Sequence, residues 1–238
     1  MLGLRALGAL LLLTAGVAGC DSQTSAEPGE ATLTVYVSAP LSGPARAEGR
    51  ALAEGAAAAL EDAGGEAGGF AVAAEYLDLA GRNETRFDAV TAGANARTAS
   101  EDSTTIAYVG ELDSGASRTS VPITNSAGIL QVAPGSGASD LVRDETYNDD
   151  VPSAVQGTGE RTFAQLVPTY EPGERPRTSR PADLGYEAMA SILAAIERAS
   201  NPADRAAVVE AYFDGTERDS RLGRYRIAET GEFEPLRG

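Results

Sequence analysis

Between residues 32 and 133 the chain keeps changing its hydrophobic period. Short apolar or β-branched runs stand at 32–38 (TLTVYVS), 70–79 (FAVAAEYLDL), 105–109 (TIAYV) and 129–133 (ILQVA). Between them lie stretches of helical length at 45–63, 83–99 and 114–126, the first rich in Ala, Leu and Glu and stopped by Gly64-Gly65. Strands that alternate with helices cannot pair as hairpins. They imply an α/β fold with a doubly wound, mainly parallel sheet covered by helices on both faces.

That architecture directs attention to one edge. Ligands of doubly wound sheets bind outside the carboxyl ends of the strands, where the strand order reverses. The loops expected there are 39–48, 110–115 and 134–139. Each carries a Ser-Gly pair: Ser42-Gly43, Ser114-Gly115 and Ser136-Gly137. Small hydroxyls and main-chain N–H groups at helix starts favour an anion such as a ligand carboxylate. Ordinary capping and turn formation use the same residue types, so each loop alone is weak evidence. Asn83-Glu84-Thr85 reads as a helix cap. The glycines of residues 43–49 are wrongly spaced for a dinucleotide turn, and no Walker A sequence is present.

The amino terminus carries a different message. Residues 1–18 contain one basic residue, Arg5, then the apolar run 10–13, then small residues. This is the order of a secretory leader, and it is shorter than the ~20 apolar residues of a membrane-spanning helix. Val17-Ala18-Gly19-Cys20 resembles the lipobox of bacterial lipoproteins. The resemblance implies cleavage before Cys20 and attachment of a diacylglycerol to its thiol, with the membrane as partner through that anchor. Residues 20–30 read as a polar tether. The expected location is the extracytoplasmic face of a bacterial cytoplasmic membrane.

Composition removes several classes of function. The chain of 238 residues holds no histidine, no lysine, no tryptophan and no cysteine besides Cys20. Ser-His-Asp and Cys-His catalysis are therefore excluded, as are the zinc motifs that need histidine, and internal disulfides cannot form. A net charge of −16 repels nucleic acid. No catalysis, cofactor or metal is expected.

Several segments carry a family resemblance. The first strand followed by Pro40-Leu41-Ser42-Gly43 and a helix ending at Gly64-Gly65 resembles the opening of type 1 periplasmic-binding proteins. The nearest group is the leucine/isoleucine/valine-binding proteins of branched-chain amino acid ABC transporters. Ala107-Tyr108-Val109-Gly110-Glu111-Leu112-Asp113-Ser114 and residues 122–134 resemble its next two units, and residues 159–168 its crossing into a second lobe. Residues 184–189 and 219–225 resemble its late helix and the strand after it. The resemblance implies a ligand held by the loops of lobe one. By position, Ser114 matches a hydroxyl contact and Gly135 a backbone contact. Gly137 stands where a hydroxyl-bearing residue is usual, with Ser136 beside it to supply one. Glu48 stands where an aromatic residue often lies against the ligand, and Ser42 completes the set.

Length separates this chain from that family. Residues 169–183 (TYEPGERPRTSRPAD) read as linker, where the family places the core of its second lobe. The expected organisation is a leader at 1–19, a tether at 20–30, one lobe at 31–168, the linker at 169–183, and a C-terminal unit at 184–238. That last unit reads as helices at 184–199 and 202–213 and a hairpin at 222–233. The helices are expected on lobe one, and the hairpin as a remnant of lobe two. Two functions follow. The first is a lipid-anchored solute-binding protein of an ABC importer, taking a branched-chain or related amino acid, with a permease as partner. The second is a single-lobe interaction module that docks a receptor or forms a homodimer through the uncovered cleft face.

Overall fold

The strand β1 (Thr32–Ala39) is buried from Leu33 to its end, with Val35 and Val37 fully enclosed. A strand buried on both faces needs a helix layer on each side. The computed structural model, which describes residues 31–80, 87–138, 141–142, 162–169 and 179–236, supplies both. The leader, Cys20, the tether, Asn83-Glu84-Thr85, residues 159–161 and residues 170–178 lie outside the described residues.

β1 sits inside a six-stranded sheet. Its other members are β2 (Glu66–Ala67), β3 (Phe70–Asp78), β4 (Thr105–Val109), β5 (Leu130–Ala133) and β6 (Phe163–Gln165), in the order β2-β3-β1-β4-β5-β6. Every pairing is parallel except the β2–β3 hairpin, which turns at Gly68-Gly69. The expected parallel sheet is thus present. The two-residue β2 was not expected, and it adds an antiparallel edge.

Helices cover both faces. On one side α1 (Arg46–Asp62) buries Gly49, Leu52, Gly55, Ala56 and Ala59 at helical spacing. It lies against α4 (Pro181–Arg198), and α5 (Arg205–Tyr212) packs beside α4. The core on this side joins Val35, Val37, Val109 and Val132 to Leu52, Met189, Ile192 and Ile196. On the other side α2 (Ala89–Glu101) packs against α3 (Ser114–Ser126), and Tyr36, Tyr108, Ala99 and Ile129 form a separate cluster.

Some helix boundaries differ from the sequence reading, and capping explains them. Asp88 accepts a hydrogen bond from the Val90 N–H at 3.0 Å, which starts α2 at Ala89. Asp204 does the same for α5 through Ala206 N–H at 2.9 Å. Pro181 opens α4 one turn early, because a proline at the first helical position sacrifices no needed N–H. Pro181, Ala182 and Asp183 are therefore helix rather than linker.

The C-terminal segment forms a three-stranded antiparallel meander, β7 (Arg218–Ser220), β8 (Gly223–Ile227) and β9 (Phe233–Pro235), one strand more than the hairpin expected. Tyr225, Ile227 and Phe233 enter the core shared with α1 and α4. The Tyr225 ring stacks on Phe233 with centroids 4.6 Å apart, and its hydroxyl donates to buried Glu187 of α4. The Gln165 N–H donates to Gly231 O at 2.9 Å, so the turn before β9 covers the open edge of β6.

The α1–α4 crossing depends on two glycines. A Cβ on Gly185 would strike the carbonyl of Leu52, and one on Gly55 would strike the carbonyl of Ala182. The two helices meet backbone to backbone at these points. Gly185→Ala is expected to push the helices apart and lower the unfolding free energy by about 1–3 kcal/mol. Urea denaturation measures this, and an unchanged midpoint would show that the crossing is looser than described.

Candidate ligand-binding site

The strand order places the site. β3 lies on one side of β1 and β4 on the other, so the crevice between successive crossovers opens at the carboxyl ends of β1 and β4. Because the sheet is parallel, the loops after β1, β3, β4 and β5 all gather at that edge. They form a shelf with two halves.

The first half follows β1. Asp78, at the end of β3, binds the loop after its neighbour. Its Oδ1 accepts from the Leu41 N–H at 2.8 Å, the Ser42 N–H at 3.3 Å and the Ala80 N–H at 2.9 Å. Its Oδ2 accepts from the Ser42 hydroxyl at 2.6 Å. Partial burial pushes the Asp78 carboxyl up, but these hydrogen bonds, led by Ser42, outweigh it and hold the carboxyl below its ordinary range. The Arg50 Nε–H donates to Leu41 O at 3.0 Å and fixes the loop from the other side. Ser42 is exposed, and Glu48 is half-buried in the first turn of α1.

The second half follows β4 and β5 and is organised around Glu111, which is fully buried. Its carboxyl accepts from the Tyr108 hydroxyl at 2.8 Å and the Ser120 hydroxyl at 2.6 Å. Its main chain closes a ring of hydroxyls. The Glu111 N–H donates to Ser117 Oγ at 3.2 Å, Ser117 and Ser136 hydroxyls meet at 2.6 Å, and Ser136 donates to Glu111 O at 3.1 Å. Gln131 joins the ring to β5, donating from Nε2 to Gly110 O at 2.9 Å and to Ser120 Oγ at 2.8 Å. Burial raises the Glu111 carboxyl to about 7. The hydrogen bonds from Ser120 and Tyr108 oppose that rise, and the nearby charge of Asp113 adds to it.

The candidate residues take distinct places on this frame. Ser114 is the first residue of α3 and is nearly buried, next to Asp113, whose Oδ1 caps the helix through the Gly115 N–H at 2.8 Å. Gly135 is half-buried and lies against Leu112: a Cβ there would fall 2.6 Å from Leu112 O, so the two loops touch through their backbones. Gly137 is buried. Ser136 is fully buried, with its hydroxyl already joined to Glu111 and Ser117. Ser42, Glu48, Ser114, Gly135, Ser136 and Gly137 thus share one edge of the sheet.

Asp78 and Glu111 were not singled out by the sequence. Asp78 meets its Ser42 partner across 36 positions, so no local spacing marks it. Glu111 is followed by Leu112 and Asp113, which gives it the look of a solvated turn. Among the described residues no group of three or more acidic or cysteine side chains is placed to hold a metal ion, and no helix is long and apolar enough to cross a membrane.

By sequence, no protein-family profile matches the chain, and no curated protein is similar to it. Solved structures do share its fold. A leucine-binding protein, LivK, from Thermotoga maritima matches at a TM-score of 0.65 and 15% identity, over 84% of this chain and 93% of that one. The LivJ substrate-binding protein of Streptococcus pneumoniae, solved with isoleucine, matches at 0.59 and 13%, over 85% and 94%. A solute-binding protein of Rhodopseudomonas palustris, solved with benzoate, matches at 0.65 and 11%, over 85% and 91%. The chain thus shares the fold of these solute-binding proteins.

The Asp78 anchor yields a signed expectation. Its carboxyl is held low, so its stabilisation is present above the ordinary carboxylate range and is lost as the pH falls through the folded value. Asp78→Asn is expected to cost about 1 kcal/mol at pH 7. That cost should shrink as the pH falls through the lowered carboxyl value. Denaturation of both proteins across this range measures it, and a cost independent of pH would remove Asp78 as the loop's anchor.

Proposed function

We propose that the chain is a lipid-anchored, extracytoplasmic solute-binding protein that serves an ABC importer and binds branched-chain or related amino acids without catalysis. The observation that supports this most is the shared fold with solute-binding proteins whose stated ligands are leucine, isoleucine and benzoate. Leucine, isoleucine and benzoate all carry a carboxylate. The start of α3, with Ser114 as its first residue, lies on the shelf, and the positive end of the helix dipole there suits such an anion. Gly135 and Gly137 belong to the loop after β5, Ser42 holds the loop after β1 through its hydroxyl bond to Asp78, and Ser136 braces the loop after β5 from inside. Glu48 is the group suited to a ligand ammonium.

A shelf on one lobe makes fewer contacts than a cleft closed by two. Each missing hydrogen bond forgoes about 1 kcal/mol, so affinity should be modest. Thermal unfolding with L-leucine, L-isoleucine and benzoate tests the reading. A ligand at a hundredfold excess over its dissociation constant stabilises by about 2.7 kcal/mol, and Ser114→Ala should abolish the shift. No shift with any of these at millimolar concentration would overturn the solute-binding reading and favour the interaction module. Light scattering would then show whether the cleft face pairs with a second copy.

The anchor has its own test. Produced with its leader in a bacterial host, the chain should take up an alkyne-tagged fatty acid and partition into detergent, and Cys20→Ser should do neither. Labelling that survives Cys20→Ser would remove the thiol as the site.

A further inference from the structure

The shelf carries apolar surface as well as hydroxyls. Three of its loops each hold one large apolar side chain that is only half-buried: Leu41 after β1, Phe87 after β3 and Leu112 after β4. Leu41 and Leu112 pack against the aliphatic core shared with α1 and α4. Phe87 packs on a smaller cluster, with Leu79 from its own loop, Ala92 of α2 and Ala116 of α3. Those three partners are fully enclosed, while the ring keeps exposed surface.

Phe87 also stands against the candidate residues. Its ring lies over the first turn of α3: a Cβ on Gly115 would fall 2.7 Å from Phe87 Cζ and 3.4 Å from Phe87 Cε1. Gly115 is the second residue of α3 and follows Ser114, and its N–H is held by Asp113 Oδ1 at 2.8 Å. The bare Cα of Gly115 is therefore what admits an aromatic ring beside the hydroxyl residue. Small-molecule sites combine apolar walls with a few placed polar groups, and this corner of the shelf brings the two together.

We propose that Phe87 is the specificity-determining residue of the shelf: its exposed ring surface takes the apolar group of a ligand whose carboxylate lies at the start of α3. This role rests on the solute-binding reading above and narrows it. The ring adjoins the residue after Ser114, so the ligand's apolar group has to begin within a few carbons of the carboxyl carbon. L-leucine and benzoate meet that condition. L-alanine, with a single methyl group, covers little of the ring and is disfavoured.

The experiment uses the full-length protein with ring-13C-labelled phenylalanine, titrated with L-leucine, L-alanine and benzoate. The Phe87 ring resonances are those absent from Phe87→Leu. They should show cross-relaxation with the L-leucine methyl protons. The wild type should prefer L-leucine to L-alanine by about tenfold or more, and Phe87→Ala should lose about tenfold of that preference. Phe87→Leu, which keeps an apolar wall, should retain most of it. Gly115→Ala, whose added methyl group displaces the ring without removing it, should also reduce it. Should Phe87→Ala fail to fold, the ring cross-relaxation and Gly115→Ala decide. L-Leucine bound without contact to the Phe87 ring, or an unchanged preference in the variants, overturns the role of Phe87 and leaves the solute-binding reading standing. No binding of any of the three by the wild type removes the solute-binding reading and this role with it.

Discussion

Everything in this lobe depends on β1 being buried on both faces. Val35 and Val37 point into the aliphatic core with α1 and α4, while Tyr36 points to the side of α2 and α3. A strand enclosed in this way has to sit centrally, with neighbours added on either side. Once β3 takes one side and β4 the other, the loops that follow them meet over the end of β1. The site is thus a result of packing before it is a result of any functional side chain.

The two helix layers solve different problems. The α1–α4 side is aliphatic and close-packed, with two glycines allowing backbone contact. The α2–α3 side buries hydroxyls and amides in quantity. Tyr36 donates to Asp102 at 3.0 Å, Thr124 to Gln131 at 2.6 Å and Thr162 to Asn125 at 2.9 Å, alongside the Glu111 ring. Satisfied polar groups add only about 1 kcal/mol each in net stability. Their directional bonds fix geometry instead, and leaving one unpaired is costly. One layer therefore secures the fold, and the other sets the position of the loops.

This division explains what was legible in the sequence. Period and β-branching located β1, β4 and β5, and α3 was read at its observed bounds, because each of these elements carries its own burial pattern. β2, β6 and β7, at two or three residues each, are too short to show a period and exist because a neighbour pairs with them. The shelf's outer residues were legible through Ser-Gly loops at a predicted edge. Its supports were not. Asp78 and Glu111 act through partners brought close by the fold, and an isolated acid in a loop looks the same whether it ends up in solvent or in the core.

The two supports also sit in opposite electrostatic settings. Asp78 is exposed at the edge and surrounded by N–H and O–H donors, so the folded protein prefers it ionised. Glu111 is enclosed, and burial raises its carboxyl to about 7. The sign of each follows from linkage. Acid weakens the Asp78 half as the pH falls through its lowered value, whereas the raised Glu111 carboxyl favours the folded protein most below the ordinary glutamate range and progressively less as the pH rises to about 7. Two carboxyls on one shelf thus carry opposite pH dependences, distinguished by their burial and their donors.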